Sequence, residues 1–567
     1  LLEFKAQICS ILSQLTSLPG DEVESLLEIP PEAELGEYAF PCFVLARQMK
    51  KAPPEIAREL ASRITPTALL EKAHPVGPYL NFHIRRSGLI RGLLPAILEG
   101  RGTERAAQEG RGKTVVIDFS APNIAKPFGV GHLRSTVIGH ALYRIYQELG
   151  YQAVGINHLG DWGTQFGKLI VAFRRWGENE RLQEDPVQYL YHLYVRFHQE
   201  AAGDEALEEE ARQWFLSLEK DHPEALALWE RFRQLSLQEF KRIYAYLGIE
   251  FDQYQGESFY NTMLEQTLQL AREKGLAKES QGALVADLEP HGLPPCLLQK
   301  KDGATLYITR DLAAAIYRQQ QYRFDKLLYV VGAEQTLHFR QLFKMLELMD
   351  FAWAKNCVHV PFGLIHFKDG RMSTRQGKVI FLEDVIQRAV ELAQRIIEEK
   401  NPGLQEKEKA ARMVGLGAVI FGDLVNDRVK DIEFDWDKVL DFSGETAPYI
   451  QYSHARICSI LRKVSRGAAP EQAAELGLLT APEEEQLVLT LARFEEQIMR
   501  AAADYRPSYL AHYLVNLARD FNRFYHSCPV LTAEENIMEA RLVLIDAVRV
   551  TLAHGLELLG IEAPEKM

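Results

Sequence analysis

Cysteine is scarce in this chain, with six residues among 567: Cys9, Cys42, Cys296, Cys357, Cys458 and Cys528. No two have metal-ligand spacing, and so thin a set points to free thiols in a reducing compartment, not to a disulfide framework. Long apolar runs are missing as well, and none approaches the roughly 20 residues that cross a bilayer. The opening LLEFKAQICS has neither the basic n-region, the long apolar stretch nor the small-residue cleavage site of a secretory signal. A cytoplasmic protein with no membrane partner is expected. Basic excess is also absent: 65 Lys and Arg stand against 78 Asp and Glu, a formal charge of −13. That argues against a body that coats nucleic acid electrostatically but leaves room for a local basic stripe.

What is present is ordinary globular composition, 47% hydrophobic and 25% charged, at a length that implies several domains. Residues 1–105 read as a small α+β domain, with amphipathic PPEIARELASRI and strand-like GPYLNFHI. A Gly- and Glu-rich stretch around 98–113 reads as a linker. From Thr114 the pattern alternates strand and helix, and an α/β catalytic domain is expected over 113–385. Its strand candidates are TVVIDFS, QAVGINHLGDWG, LVADL, TLYIT, KLLYVVG and CVHVPFGLIHF. An almost wholly helical insertion at about 165–250 shows no recognisable chemistry. Connecting helices are expected over 386–440 and a helical bundle over 441–567. The fold class is therefore α/β multidomain, with a Rossmann-like parallel-sheet core, an N-terminal α+β domain and a C-terminal all-helical bundle.

One strand hands over to a helix through IDFSAPNIAKPFGVGHLRST, residues 117–136. Unpaired backbone N–H groups at a helix start favour anions. Gly129 and Gly131 let a nucleotide approach the backbone, His132 offers a hydrogen bond and Lys126 a neutralising charge. The spacing is not G-x-G-x-x-G, because Arg134 stands where the third glycine belongs, and a Walker A run is absent from the loop. By itself the loop fits either an anion site or a packed βα turn with a satisfied histidine. A second polar, cationic loop, KDGRMSTRQGKV (368–379), suits the clamping of a triphosphate, or is a solvated hairpin. Both loops follow strands, and ATP between them at the carboxyl edge of a parallel sheet accounts for both.

At this point a resemblance becomes specific. GVGH (Gly129–His132) and RMSTR (Arg371–Arg375) are similar to the HIGH and KMSKS signatures of class I aminoacyl-tRNA synthetases. SAPNIAKPFGVGHLRST, NHLGDWGTQFG, VKDIEFDWDKVL, APYIQYSHARICSILR, LARDFNRFYHSCPV and the closing LGIEAPEKM resemble arginyl-tRNA synthetases, and GEYAFPCFVLARQMKK resembles that family's N-terminal domain. Two positions depart from the signatures. Gly129 replaces the first histidine of HIGH, and Thr374 replaces the second lysine of KMSKS, with Lys126 placed where a substituting lysine stands in some members.

The resemblance implies ATP-dependent ligation of L-arginine to tRNA(Arg) through an arginyl-adenylate, releasing AMP and pyrophosphate. It makes Lys126, His132, Arg371 and Ser373 catalytic, and gives ATP binding to Gly129, Gly131, His132, Met372, Thr374 and Arg375. Arginine falls to Asn123, Glu257, Tyr307, Asp311 and Gln335. Carboxylates and aromatic faces suit a planar, permanently charged five-donor fork. Tyr449, Tyr452, His454, Arg456 and Met567 are the expected tRNA contacts. ATP enters with Mg²⁺ as a substrate complex, with no tightly bound cofactor and no metal site on the chain. The C-terminal bundle is then an anticodon reader, arginine activation requires bound tRNA, and the working unit is a monomer. Two rival readings fit less of the sequence: another class I-type adenylate-forming ligase, and a non-catalytic tRNA-binding relative.

Overall fold

The computed structural model describes residues 1–301, 303–366, 381–433, 435, 438, 440–441, 444–464 and 475–567. Arg371, Met372, Ser373, Thr374 and Arg375 lie outside the described residues.

The N-terminal unit packs helices Leu2–Thr16, Pro53–Arg63 and Arg86–Leu98 with an antiparallel sheet of Tyr38–Pro41, Leu70–Val76 and Tyr79–Ile84. The stretch expected as a linker is pinned: the Arg105 and Ala106 N–H groups both donate to Glu495 Oε1 at 3.1 Å.

The central sheet has five parallel strands: β1 (Thr114–Asp118), β2 (Gln152–Asn157), β3 (Gln253–Tyr254), β4 (Lys326–Gly332) and β5 (Cys357–Phe362). Their spatial order is 5-4-1-2-3, with every pairing parallel. Both faces are covered, so the strands read as continuous apolar runs, and Val115, Val116, Ile117, Leu327 and Leu328 are wholly buried. The order reverses between β1 and β4, and in such sheets the ligand crevice opens at that reversal, outside the carboxyl ends. Two strand expectations change. The first three residues of LVADL fall in a strand, Ala283–Ala286, of a separate three-stranded antiparallel sheet, and TLYIT opens a helix at Tyr307. A lone apolar run does not reveal its pairing partner or whether tertiary packing prolongs it as a helix.

The helix after the nucleotide-type loop is α1 (Leu133–Glu148). Val137, Ile138, Leu142, Ile145 and Leu149 form the buried stripe that the period predicts. Its polar side is buried too. Tyr146 Oη donates to the Ala502 carbonyl at 3.0 Å, and Glu148 meets His554 at 3.2 Å, so the C-terminal bundle covers what the sheet leaves. The helical insertion ends in α2 (Pro223–Leu247), and α3 (Tyr307–Tyr322) and α4 (Thr336–Leu348) lie between later strands. Connecting helices α5 (Leu382–Lys400) and α6 (Lys407–Leu424) lead to the bundle, whose longest members are α7 (Ala447–Lys463), α8 (Ser508–Ser527) and α9 (Glu535–Leu558).

Arg134, 1% exposed, ties these layers together. Its Nε lies 2.9 Å from Asp423 on α6, and its Nη1 donates to both the Gly363 and the Lys430 carbonyls at 2.8 Å. Removing one member of a buried pair strands the other charge. Arg134→Met is expected to cost about 3–5 kcal/mol in urea unfolding, and Arg134→Met with Asp423→Leu to recover most of it.

Candidate active site

The loop from β1 to α1 is held in a strained shape. Ser120, Ala121 and Ala125 have φ of +73°, +46° and +59°, a region that costs about 1–3 kcal/mol per non-glycine residue. Hydrogen bonds over-determine it. Ser120 N–H donates to Ser135 Oγ at 2.8 Å, and Ser135 Oγ donates to the Val330 carbonyl at 2.6 Å. Ser120 Oγ lies 2.7 Å from Tyr244 Oη, which also accepts from Asn157 Nδ2 at 2.9 Å. Ala125 N–H donates to Ser236 Oγ at 3.1 Å. Asp161, with no exposed side chain, accepts from Arg233 Nε and from Ser258 N–H and Oγ, each at 2.8 Å. Ser236 and Tyr244 of α2 hold this loop, and Arg233 of the same helix holds Asp161 in the neighbouring loop after β2, so the insertion whose sequence showed no chemistry clamps the site. Their spacing of three and eight residues puts them on one helical face, a signal that gains meaning only once the partners are known.

Asn123 forms a parallel bridge with Gly160, and its side chain fills the space above that glycine: an added Cβ would sit 2.4 Å from Asn123 Oδ1. Gly131 differs. It is exposed, and an added Cβ would meet nothing within 4 Å, so the protein itself does not require a glycine there. Beside it, His132 Nδ1 is buried without a hydrogen-bond partner among the described residues. Burial, with the nearby Lys126 charge, pulls the His132 imidazole down to about 4. His132 is therefore neutral at physiological pH and acts as a hydrogen-bonding group. Lys126 Nζ stands 5.7 Å from the centre of the Tyr194 ring. Gly129 is buried and bridges Phe381, while Leu382 N–H donates to the Phe128 carbonyl at 3.0 Å. The chain thus returns to this loop immediately after the undescribed segment.

Across the crevice lies an acid-rich pocket. Glu257 begins a short helical turn after β3, and burial pushes its carboxyl up to about 8, with Arg310 opposing and Asp311 and Asp161 adding to the rise. Helix α3 begins at Tyr307, so Tyr307 and Asp311 share a face one turn apart. The Tyr307 side is 66% exposed. Asp311 Oδ2 lies 2.6 Å from His338 Nε2, and Oδ1 lies 3.9 Å from His158 Nε2. His158 Nδ1 is 3.1 Å from the Gln255 carbonyl, which requires an N–H there and leaves Nε2 an acceptor in the neutral ring. A carboxylate oxygen and a ring nitrogen therefore face one space. Gln335 is exposed at the N-cap of α4, three residues before His338. His158, His338, Arg310 and Asp161 were not singled out from the sequence. NHLGDWG was visible as a motif, but nothing in it tells which side chain faces a carboxylate.

At the bundle, Tyr449 Oη accepts from Asn522 Nδ2 at 3.1 Å, and Arg456 donates to Asn522 Oδ1 at 2.6 Å. The Arg456 guanidinium sits 4.8 Å from the Tyr452 ring centre and 5.1 Å from that of Tyr525. Tyr452 and Tyr525 are 43% and 39% exposed. His454 is buried against the Pro564 carbonyl at 3.0 Å, so it packs the tail against α7 instead of facing outward as expected. Met567 packs on the apolar cluster of Ala393, Ile397, Ala411 and Val414 on α5 and α6, and its carbonyl accepts from Asn401 Nδ2 at 2.8 Å. Its described contacts are with those helices and not with the Tyr452–Arg456–Tyr525 stack.

Three family models match the chain in order. They are the arginyl tRNA synthetase N-terminal domain over residues 2–84, the catalytic domain of class I tRNA synthetases (R) over 94–436, and the DALR anticodon binding domain over 450–567. The chain belongs to the arginyl-tRNA synthetase family. It is 47% identical over 568 residues to the arginine–tRNA ligase of Halothermothrix orenii, and 46% identical over 566 residues to that of Clostridioides difficile, with 100% of each chain covered in both cases. Among solved structures, the Thermus thermophilus arginyl-tRNA synthetase superposes with a TM-score of 0.84 at 29% identity, covering 100% of this chain and 99% of that one. The expected architecture, a parallel-sheet core between an N-terminal domain and a C-terminal helical bundle, is the architecture of this arginyl-tRNA synthetase family.

The two glycines give a paired test. Gly160→Ala drives a methyl into Asn123 and is expected to lower stability by about 1–3 kcal/mol. Gly131→Ala should leave the melting temperature nearly unchanged, within about 0.5 kcal/mol. Thermal unfolding of both variants checks this.

Proposed function

We propose that the crevice between the carboxyl ends of β1 and β4 is where the carboxylate of arginine attacks the α-phosphorus of ATP, expelling pyrophosphate, and where the terminal ribose of tRNA(Arg) then takes the arginyl group and releases AMP. The overall reaction, ATP-dependent ligation of arginine to tRNA, is that of the family to which the chain belongs. No protein nucleophile is required, so the chain's task is to position and to stabilise charge.

The single observation that supports this reading is an open anion-type loop after β1 joined to an acidic cluster, through the Asn123–Gly160 bridge and the Asp161–Ser258 hydrogen bonds beside Glu257. On the nucleotide side Gly131 leaves room, His132 supplies a neutral hydrogen-bonding ring, and Lys126 supplies the cation. ATP enters as its Mg²⁺ complex, the metal held on phosphate oxygens. Among the described residues no group of three or more His, Cys, Asp or Glu side chains is placed to hold a metal ion. Arg371, Met372, Ser373, Thr374 and Arg375 are assigned to the phosphates by resemblance, and the Phe381–Gly129 bridge beside the loop supports that assignment. On the arginine side, Asp311 and Glu257 receive the cationic groups, Tyr307 offers its face, and Asn123 and Gln335 hold the remaining polar atoms. A point-charge lysine cannot satisfy this arrangement of acceptors as a planar fork does. Tyr449, Tyr452 and Arg456 receive unstacked bases of the anticodon loop. The working unit is read as a monomer, as the resemblance implies.

ATP–pyrophosphate exchange, run with each amino acid and with or without total tRNA, tests the reading. Exchange is expected with arginine plus tRNA only. Exchange with arginine alone would remove the tRNA requirement, and silence in a protein that still binds tRNA would remove catalysis.

The Glu257 carboxyl adds a pH test. Its raised value means that below about pH 8 it carries a proton in the free protein, whereas pairing with a cation needs the ionised form. The KM for arginine is therefore expected to fall as pH rises toward 8 and to level off above it. Glu257→Gln should raise that KM roughly 10- to 100-fold, the loss of a charge-assisted hydrogen bond, and flatten the profile.

A further inference from the structure

Helices α3 and α4, which carry Asp311 and His338, rest on one side chain, the buried Tyr329 of β4. The Arg318 guanidinium of α3 lies over that ring, 5.5 Å from its centre, and pairs with Asp118 of β1 at 2.8 Å. Phe339 of α4 packs against the same ring, with centres 4.9 Å apart, and stacks on His359 of β5 at 4.5 Å. Tyr329 and Asp118 are direct partners in the sheet, so both helices are anchored at one point of the β1–β4 ladder.

Those anchors fix a second meeting nearer the surface. Arg318 follows Asp311 by seven residues, two turns along the same face of α3, and Phe339 follows His338 directly. With both anchors buried, Asp311 Oδ2 and His338 Nε2 are brought to 2.6 Å. A carboxylate oxygen has no proton to give, so the ring N–H donates, and a charged acceptor makes the bond a strong one. The contact imposes an orientation. An aspartate side chain turns freely about its bonds unless one oxygen is held, and here Oδ2 is tied to α4. Oδ1 is left toward His158 Nε2, 3.9 Å away and beyond hydrogen-bond range. Among the described residues Oδ1 accepts no hydrogen bond.

We infer that His338 is a positioning residue of the arginine pocket: it holds Oδ2 of Asp311 so that Oδ1 is presented to the substrate guanidinium. The histidine touches the carboxylate and acts through it. Orientation matters for this substrate in particular, because a planar fork bonds a carboxylate well only when the two share a plane, whereas a compact ammonium makes no such demand. The inference rests on the reading of Asp311 as the acceptor for arginine.

Aminoacylation of a tRNA(Arg) transcript by the full chain, with KM measured for arginine and for ATP, tests it. His338→Leu keeps bulk and loses the donor, and His338→Gln returns an N–H close to the same place. His338 is half-buried, so thermal unfolding of both variants should match the wild type. The leucine variant is expected to raise the KM for arginine about tenfold, the loss of one hydrogen bond to a charged group, with the KM for ATP unchanged. The glutamine variant should recover most of that loss. A wild-type arginine KM in His338→Leu would overturn the proposal. A lowered one would overturn it too, by making the histidine a competitor of the substrate. An equal rise in both KM values would show a general loosening of α3 and α4, and a glutamine variant no better than leucine would show that the donor is irrelevant; either result sinks the role. Asp311→Ala separates this inference from the reading beneath it. A wild-type arginine KM in that variant would remove arginine from the pocket, whereas a raised one beside an unaffected His338→Leu would remove only the part assigned to the histidine.

Discussion

Helix α1 is wedged between two bodies, and the arrangement of the rest follows from that. The short turn that leads into it carries His132 and the open Gly131, and its apolar stripe lies on the parallel sheet. Most of its remaining surface is covered by α6 and the bundle. Leu133–Leu142 are all buried, and polar groups there need protein partners. Arg134 finds them in Asp423 and two backbone carbonyls, one on each side of the undescribed 367–380 segment. The nucleotide loop, the connecting helices and the approach to the second cationic loop are thereby held by one guanidinium. Arginine suits this role because its planar fork can serve three acceptors at once.

The strained loop follows the same logic. Three non-glycine residues at positive φ would relax if they were held only by their own turn. They persist because the end of β1, the first turn of α1 and one face of α2 all bond to the same few residues. The helical insertion therefore acts as a clamp, with Ser236 and Tyr244 on the loop itself and Arg233 on Asp161 beside it. Stiffness obtained this way fixes the positions of His132 and Asn123, the preorganisation that the proposed site requires.

The electrostatics of the two sides are complementary. A neutral imidazole and a lysine occupy the side proposed for the phosphates. Glu257, its carboxyl pushed up by burial, and Asp311, beside His338 and His158, occupy the side proposed for the guanidinium. Burial favours the protonated form of Glu257, and an incoming cation would favour its ionised form.

Much of this was legible along the chain. The 3.6 period of α1, the apolar β1 and β4 and the helical C-terminal third are local properties, set by side-chain spacing and turn chemistry. The motif order of GVGH, NHLGDWG and the later helices gave the family before any geometry was known, because long ordered motifs carry information that composition does not. The sequence could not assign LVADL to a separate antiparallel sheet, since pairing is a choice between distant partners. Nor could it tell that His454 turns inward to the Pro564 carbonyl while Arg456 faces out between two tyrosines. Both sit on one amphipathic helix, and periodicity ranks faces by hydropathy without naming what lies opposite. The same limit hid Arg134–Asp423, His158, His338 and the clamp on α2. By itself the sequence determined which segments fold as which elements and which chemistry they carry. The tertiary structure decided which of those groups meet, because burial and hydrogen-bond satisfaction depend on residues hundreds of positions away.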